Sequence, residues 1–193
     1  ILHCFVLPFR SSKSAHKYSS IWTEKGSPLK HNTSQQAIML HNYLKNLGHN
    51  KVRVAYAMRY GSPSIAEVLN QLKVDGCERI LIFPAYPQYS STTTASIYDA
   101  LFKHYMQVRN VPELRFIKHY HDHHAYIQAL KESVLTYWAI HGRPDKLIIS
   151  FHGVPEYTLR LGDPYHCECQ KTGRLLAQEL NLDLGQYNLT FQS

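Results

Sequence analysis

RILIFPAYPQYSSTTTASIYDALFKHYMQVRNVPELRFIKHY, residues 79–120, decides the fold. Its first residues, 79–87, begin as a short apolar run that Pro84 and Pro87 cut off, which predicts a strand. A polar loop, QYSSTTT, then leads into a helix over about 95–108. ELRFIKHY (113–120) reads as a second strand. Strand, helix and strand joined by short connections make a βαβ unit, and that unit lays its two strands parallel.

The alternation continues in both directions. Upstream, NTSQQAIMLHNYLKNL (32–47) has apolar residues at 38, 40, 44 and 47, with Gly48 as a stop signal, and predicts a helix. KVRVAYAMR (51–59) is β-branched and alternating, which predicts a strand ended by Tyr60-Gly61-Ser62-Pro63. SIAEVLNQLKVD (64–75) opens with Ser64 three residues before Glu67, a capping-box pattern for a helix. Downstream come a long amphipathic helix over 123–140 bounded by Gly142 and Pro144, and a buried strand KLIISF (146–151). A helix from about 168 to 180 and a strand near 187–191 complete the order.

The expected class is therefore α/β: parallel sheets with flanking helices, in two Rossmann-like domains. A boundary near 122 divides 1–122 from 123–193, with the long helix as the link and the second domain incomplete by 193. In such sheets ligands bind at loops outside the carboxyl ends of the strands. Four loops qualify: 59–63, 84–94, 119–124 and 151–166.

Bulk properties narrow the function classes. The 193 residues suffice for a real core, and 44% hydrophobic with 18% charged content describes an ordinary globular protein. No apolar run approaches the ~20 residues of a membrane span, and the opening ILHCFVLPFR does not read as a signal peptide. Four scattered Cys argue against a disulfide framework and for reduced thiols in a cytoplasm. The net charge of +7 suits an anionic partner, but Lys and Arg are dispersed without a nucleic-acid motif, so nucleic acid is not expected. The 14 Tyr, twice the Phe count, often lie beside Pro, Gly, Ser or Gln, where exposed rings suit a flat aromatic ligand.

Six stretches carry chemistry or imitate it. His152 ends the apolar run LIISF and precedes Gly153-Val154-Pro155, so an imidazole is held at a strand's carboxyl end. Such a group can accept a proton near neutrality or bind a divalent metal. In GDPY (162–165) the turn residues favour a structural reading, with Asp163 capping the helix that begins near 167. HCEC (166–169) looks like a metal knuckle, yet Cys-x-Cys is tighter than zinc sites use and no second pair lies within reach, so Cys169 reads as a half-buried thiol.

HYHDHH (119–124) offers four histidines, of which two or three at most can share one ion because adjacent residues of an extended chain face opposite ways. A solvated loop is the simpler reading there. PAYPQYSSTTT (84–94) sets Tyr86 and Tyr89 beside a run of hydroxyls at a helix entry, either to hold an anion and flank an aromatic plane or simply to cap the helix. FRSSKSAHKYSSIWTEKGSP (9–28) places Arg10, Lys13 and Lys17 at helical spacing with Tyr18, Ile21 and Trp22. It suits either carboxylates, a membrane surface or an ordinary surface helix.

Taken together, LIISFHGVP, GDPY, KSAHKYSSIWTEKGSPL, AMRYGSPSI, FPAYPQYSSTTTAS, HDHHAYIQAL and TFQS resemble segments of the ferrochelatase family, in order and over essentially the whole chain. The resemblance implies chelatase-type domains and insertion of ferrous iron into protoporphyrin IX to form haem, a lyase reaction. It puts His152 at the active-site histidine, as metal ligand, pyrrole-proton acceptor or both. Arg10, Lys13 and Ser27 match positions near the porphyrin lip and its propionates. Tyr18, Arg59, Tyr60, Pro87, Gln88, Tyr89 and Ser90 match residues lining the porphyrin cleft.

The partners implied are porphyrin and ferrous iron, in the cytoplasm with possible peripheral membrane contact. No tightly bound cofactor is implied, because iron is a substrate. Ser91 stands where cluster-bearing relatives have a Cys, so an iron–sulfur cluster is not expected. Family members also begin with a further strand and loop, and continue past FQS into a segment bearing a glutamate that faces the histidine. The sequence is therefore expected to be a truncated chelatase, inactive by itself. Coproporphyrin as substrate is the alternative within the family. A non-enzymatic haem or metal carrier using HYHDHH or HCEC is the alternative outside it.

Overall fold

In a computed structural model, residues 22–24 and 26–192 are described. Arg10, Lys13 and Tyr18, and with them most of the predicted basic helix, lie outside that range. Contacts divide the chain between Leu72 and Lys73 into two compact units.

The described part of the first unit is built on α1 (Pro28–Asn46). It starts four residues earlier than its apolar spacing suggested, because Pro28 occupies the first turn, where its missing N–H costs no hydrogen bond. Gly48, at φ 87°, lies just beyond the Leu47 cap. The strand expected over 51–59 does not form. Its only pairing among the described residues is an isolated bridge from Met58 to Ser64, with the Met58 N–H donated to the Pro63 carbonyl at 2.8 Å. Alternating β-branched residues favour extended backbone, but a strand also needs a partner ladder.

The helix α2 (Ile65–Val74) has the capping box that its sequence announced. The Ser64 N–H bonds Glu67 Oε2 at 2.7 Å and the Glu67 N–H bonds Ser64 Oγ at 3.3 Å.

The second unit holds the predicted βαβ arrangement. Strand β1 (Arg79–Ile82), helix α3 (Thr94–Tyr105) and strand β2 (Glu113–Phe116) follow in order, and the strands pair in parallel from Arg79 opposite Glu113 to Ile82 opposite Phe116. Both strands are shorter than expected: β1 stops two residues before Pro84. Beyond the ladder the chains stay side by side, since Ile117 N–H bonds the Ile82 carbonyl and Tyr120 N–H bonds the Pro87 carbonyl. Tyr98 and Phe102 on α3 pack against Phe116, with ring centroids 4.8 and 5.8 Å apart.

Helix α4 (His124–His141) ends at Gly142, whose φ of 85° suits a residue without Cβ. Strand β3 (Leu147–His152) pairs in parallel with β4 (Tyr187–Gln192), and the short α5 (Glu156–Arg160) and α6 (Tyr165–Glu179) connect them. The fold is thus mixed α/β, with short parallel strand pairs and flanking helices.

Helix α6 is the keystone of this unit. Its buried face carries Cys169, Thr172, Gly173, Leu176 and Ala177. It packs on α4, to which the 3.0 Å ion pair Lys131–Glu179 also ties it, and on β4. At Gly173 the approach to β4 is so close that an added Cβ would collide with Leu189 Cδ2. No helix among the described residues is long and apolar enough to cross a membrane.

Candidate active site

The carboxyl ends of the second unit's strands deliver the candidate residues. β3 carries His152 out of the sheet, and the Gly153 N–H bonds the Gln192 carbonyl at 2.6 Å, so the chain is pinned at the point where the imidazole emerges. β1 releases the 84–94 segment, where Pro84 and Pro87 prevent further ladder pairing. The two meet in a cleft of about 290 Å³ lined by Tyr86, Gln88, Ser90, Thr92, Thr93, His152, Val154 and Tyr165. One phenol, one amide and three hydroxyls from the β1 loop therefore share this space with an exposed imidazole.

Two buried carboxylates hold the loop in place. Asp163 of the GDPY turn accepts three hydrogen bonds on Oδ2: from Ser91 N–H at 2.7 Å, Ser91 Oγ at 2.7 Å and Ser90 Oγ at 3.1 Å. Its Oδ1 accepts the Tyr165 N–H at 3.0 Å, so it also serves the start of α6, which begins two residues earlier than expected. Burial pushes the Asp163 carboxyl up, but the bonds from Ser91, Tyr165 and Ser90 outweigh it and hold the group below its ordinary value. Glu168, one turn into α6, accepts the Tyr89 N–H at 2.7 Å. Gln88 donates to Thr172 Oγ1 at 3.0 Å.

Tyr165 links the two halves of the site. Its phenol lies near the His152 main chain and the Cys169 thiol, and burial raises it well above the ordinary range. Burial likewise pushes the Cys169 thiol up to about 11. Thr93 lines the cleft with a buried Oγ1 that has no partner among the described residues. That hydroxyl remains available to a bound ligand.

The sequence-predicted residues sort unevenly. Gln88, Ser90 and His152 come together in the cleft. Tyr89 does not line it; its main chain goes to Glu168 and Lys118 Nζ lies 4.9 Å from its ring centroid. Pro87 contributes a carbonyl to Tyr120 rather than a cleft surface. Ser27, Arg59 and Tyr60 belong to the first unit. The Ser27 carbonyl accepts the first helical N–H of His31 at 3.0 Å, and the Arg59 guanidinium sits 4.6 Å from the Tyr60 ring centroid. Thr92, Thr93, Val154 and Tyr165 were not singled out as site residues. For Tyr165 the signal was present in GDPY, whose last residue looked like part of a turn.

The crowded HCEC segment comes apart. His166 stacks on Phe191 with centroids 4.9 Å apart, Cys167 is exposed and Cys169 is completely buried rather than half-buried. Glu168, which a search for thiol ligands passes over, is the residue that turns inward, to Tyr89 and to His119 Nδ1 at 2.6 Å.

Comparison with known proteins matches the sequence of this chain to one family. The family model for ferrochelatase covers residues 1–193. Among curated relatives, a ferrochelatase of Janthinobacterium sp. (strain Marseille) is 67% identical over the whole chain, which covers 52% of that protein. One from Herminiimonas arsenicoxydans is 66% identical over 52% of its length, and one from Nitrosomonas europaea is 51% identical over 53%. The chain spans about half the length of these relatives.

Proposed function

This chain belongs to the ferrochelatase family, and on that footing we propose that it carries the histidine half of a porphyrin metal chelatase. The reaction is insertion of ferrous iron into protoporphyrin IX, the closing step of haem formation and a lyase reaction. The observation that carries the reading is the convergence of His152 with Tyr86, Gln88, Ser90 and Thr93 in one cleft at the carboxyl ends of two strands.

Metallation requires loss of two pyrrole N–H protons, a ring bent from planarity and a cation stripped of water. His152 supplies the base, the metal ligand, or both in turn: its neutral imidazole accepts a proton or donates a lone pair. The Gly153–Gln192 bond and the pairing of β3 with β4 fix its backbone, so the imidazole approaches the ring from a rigid origin. Tyr86 offers a flat face to the macrocycle, and Thr92 and Thr93 offer hydroxyls to its polar edge. Arg10, Lys13 and Ser27 are assigned to the propionates, and Tyr18, Arg59, Tyr60, Pro87 and Tyr89 to the porphyrin surroundings, on the resemblance alone.

The division near 122, a cytoplasmic setting and peripheral membrane contact belong to the same proposal. So does the absence of a tightly bound cluster: Ser91 commits both its N–H and its hydroxyl to Asp163. Coproporphyrin is the alternative substrate, and competition between the two porphyrins distinguishes them. A carrier built on HCEC is disfavoured, because its side chains diverge.

The test is His152→Ala in the intact protein. Porphyrin binding, read by fluorescence quenching, should persist while metal insertion falls about 10²–10⁴-fold, the usual contribution of a positioned base. Unchanged turnover sinks the assignment.

A further inference from the structure

A second group of ligating side chains converges on the same loop but shares no residue with the cleft. His119 and His121 lie two apart in the non-helical segment beyond β2, a spacing that puts both on one face where the backbone is extended. Glu168, in the first turn of α6, faces them. Its Oε1 is 2.6 Å from His119 Nδ1 and its Oε2 is 3.4 Å from His121 Nδ1. One ligand atom from each of the three residues lies within 4.8 Å of the others. Ions that bind nitrogen and oxygen at roughly 2.0–2.2 Å set their ligand atoms at this kind of separation.

The His121 side chain is only 8% exposed, yet its Nδ1 has no hydrogen-bond partner among the described residues. A buried nitrogen without a partner is destabilising, and a cation placed among the three groups would satisfy it. Two imidazoles and one carboxylate form a donor set that suits borderline divalent ions, including zinc, cobalt and ferrous iron.

The surroundings resemble an outer shell as well. Thr172 Oγ1 donates to the His121 carbonyl at 2.8 Å, which fixes the main chain of that ligand. His121 Nε2 lies 4.0 Å from Asp122 Oδ2, and Lys171 pairs with the same carboxylate at 2.5 Å, so the nearby ammonium is itself neutralised. The Tyr89 N–H bonds Glu168 Oε2 and orients the carboxylate.

We propose that His119, His121 and Glu168 bind one divalent first-row transition cation at a site distinct from the His152 cleft. The ion would replace the His119–Glu168 hydrogen bond, tie the segment after β2 to α6, and brace the loop that Glu168 already holds.

Cobalt(II) titration of tag-free intact protein carrying His152→Ala tests this, read through the visible d–d absorption of the bound ion and its displacement by zinc. That background removes the imidazole assigned to iron in the cleft. One equivalent of cobalt should bind. His119→Gln, at an exposed side chain, and Glu168→Gln, which keeps an oxygen for the Tyr89 N–H, should each weaken it at least ~10-fold, since loss of outer-shell partners alone costs that much. Absence of cobalt uptake in the folded His152→Ala protein overturns the proposal, as does unchanged affinity in both Gln variants. Porphyrin metallation is not part of this readout, so a negative result here leaves the assignment of the cleft standing.

Discussion

One loop, two neighbourhoods: the segment from Gln88 to Thr93 is held on its polar backbone and serine side chains by carboxylates, and it offers hydroxyls to a cleft. On the held side every group named is paired. Asp163 takes the bonds of Ser90 and Ser91, and Glu168 takes that of Tyr89. On the cleft side Thr93 Oγ1 is buried with no partner among the described residues. The difference separates support from function. Bonds within the protein fix where the loop lies, and bonds left over are what a ligand can use.

The comparison can be broken most violently through α6, which carries the supports. Gly173→Val drives a branched side chain into Leu189, where even a Cβ collides. The expected cost is about 3 kcal/mol or more, because α6 has no room to retreat without unseating β4. Denaturant unfolding measures it, and a variant as stable as the parent would show that α6 is not the anchor described.

Next in size is Asp163→Ala, which leaves the Ser90 and Ser91 donors without their shared acceptor. The expected loss is about 1–3 kcal/mol, with weakened porphyrin binding as the cleft wall loosens. Acid should act in the same direction. The Asp163 pKa is lower in the folded chain than in the unfolded one, so its contribution is present above the unfolded value near 4 and is lost as pH falls through the folded value. Stability of the parent should therefore fall more steeply than that of Asp163→Asn from about pH 5 downward. Parallel acid profiles would remove Asp163 from the list of supports.

A finer contrast lies within the loop. Ser90→Ala gives up the bonds to Asp163 and Thr92 and should cost about 1 kcal/mol. Thr93→Val removes a hydroxyl that bonds nothing among the described residues and should leave thermal stability within about 0.5 kcal/mol, while weakening porphyrin binding. Equal stability losses at the two positions would erase the distinction drawn above.

The smallest effect is chemical. Near pH 8 a thiol reagent should label exposed Cys167 and spare Cys169, which is fully buried with its thiol pushed up to about 11. Mass spectrometry of the labelled chain decides it.

Local chemistry was legible in the sequence and distant pairing was not. The Ser64–Glu67 capping box could be read directly because both partners lie within one turn. The short apolar runs of β1, β2 and β3 were legible for the same reason, each bounded by residues that end a strand. The 51–59 segment has equally good strand composition but forms no strand, since that outcome depends on a neighbour its own residues do not specify.

The place of His152 at the end of β3 was legible because strand, glycine and proline announce it within five residues. Glu168 was hidden: its partners Tyr89 and His119 are 79 and 49 residues away, and its flanking cysteines drew attention to sulfur. Tyr165 was hidden too, since nothing local says that its phenol lies near the main chain of His152.

That Tyr165 hydroxyl sets a limit on what the cleft can do. With its ionisation displaced far above neutrality, the phenol stays an uncharged dipole over the working range of any enzyme. It lies near the backbone beneath His152, and it cannot take a proton from the ring. Among the described lining residues, base chemistry then falls to the His152 imidazole alone, so on the proposed reading this half of the site can take up one pyrrole proton at a time.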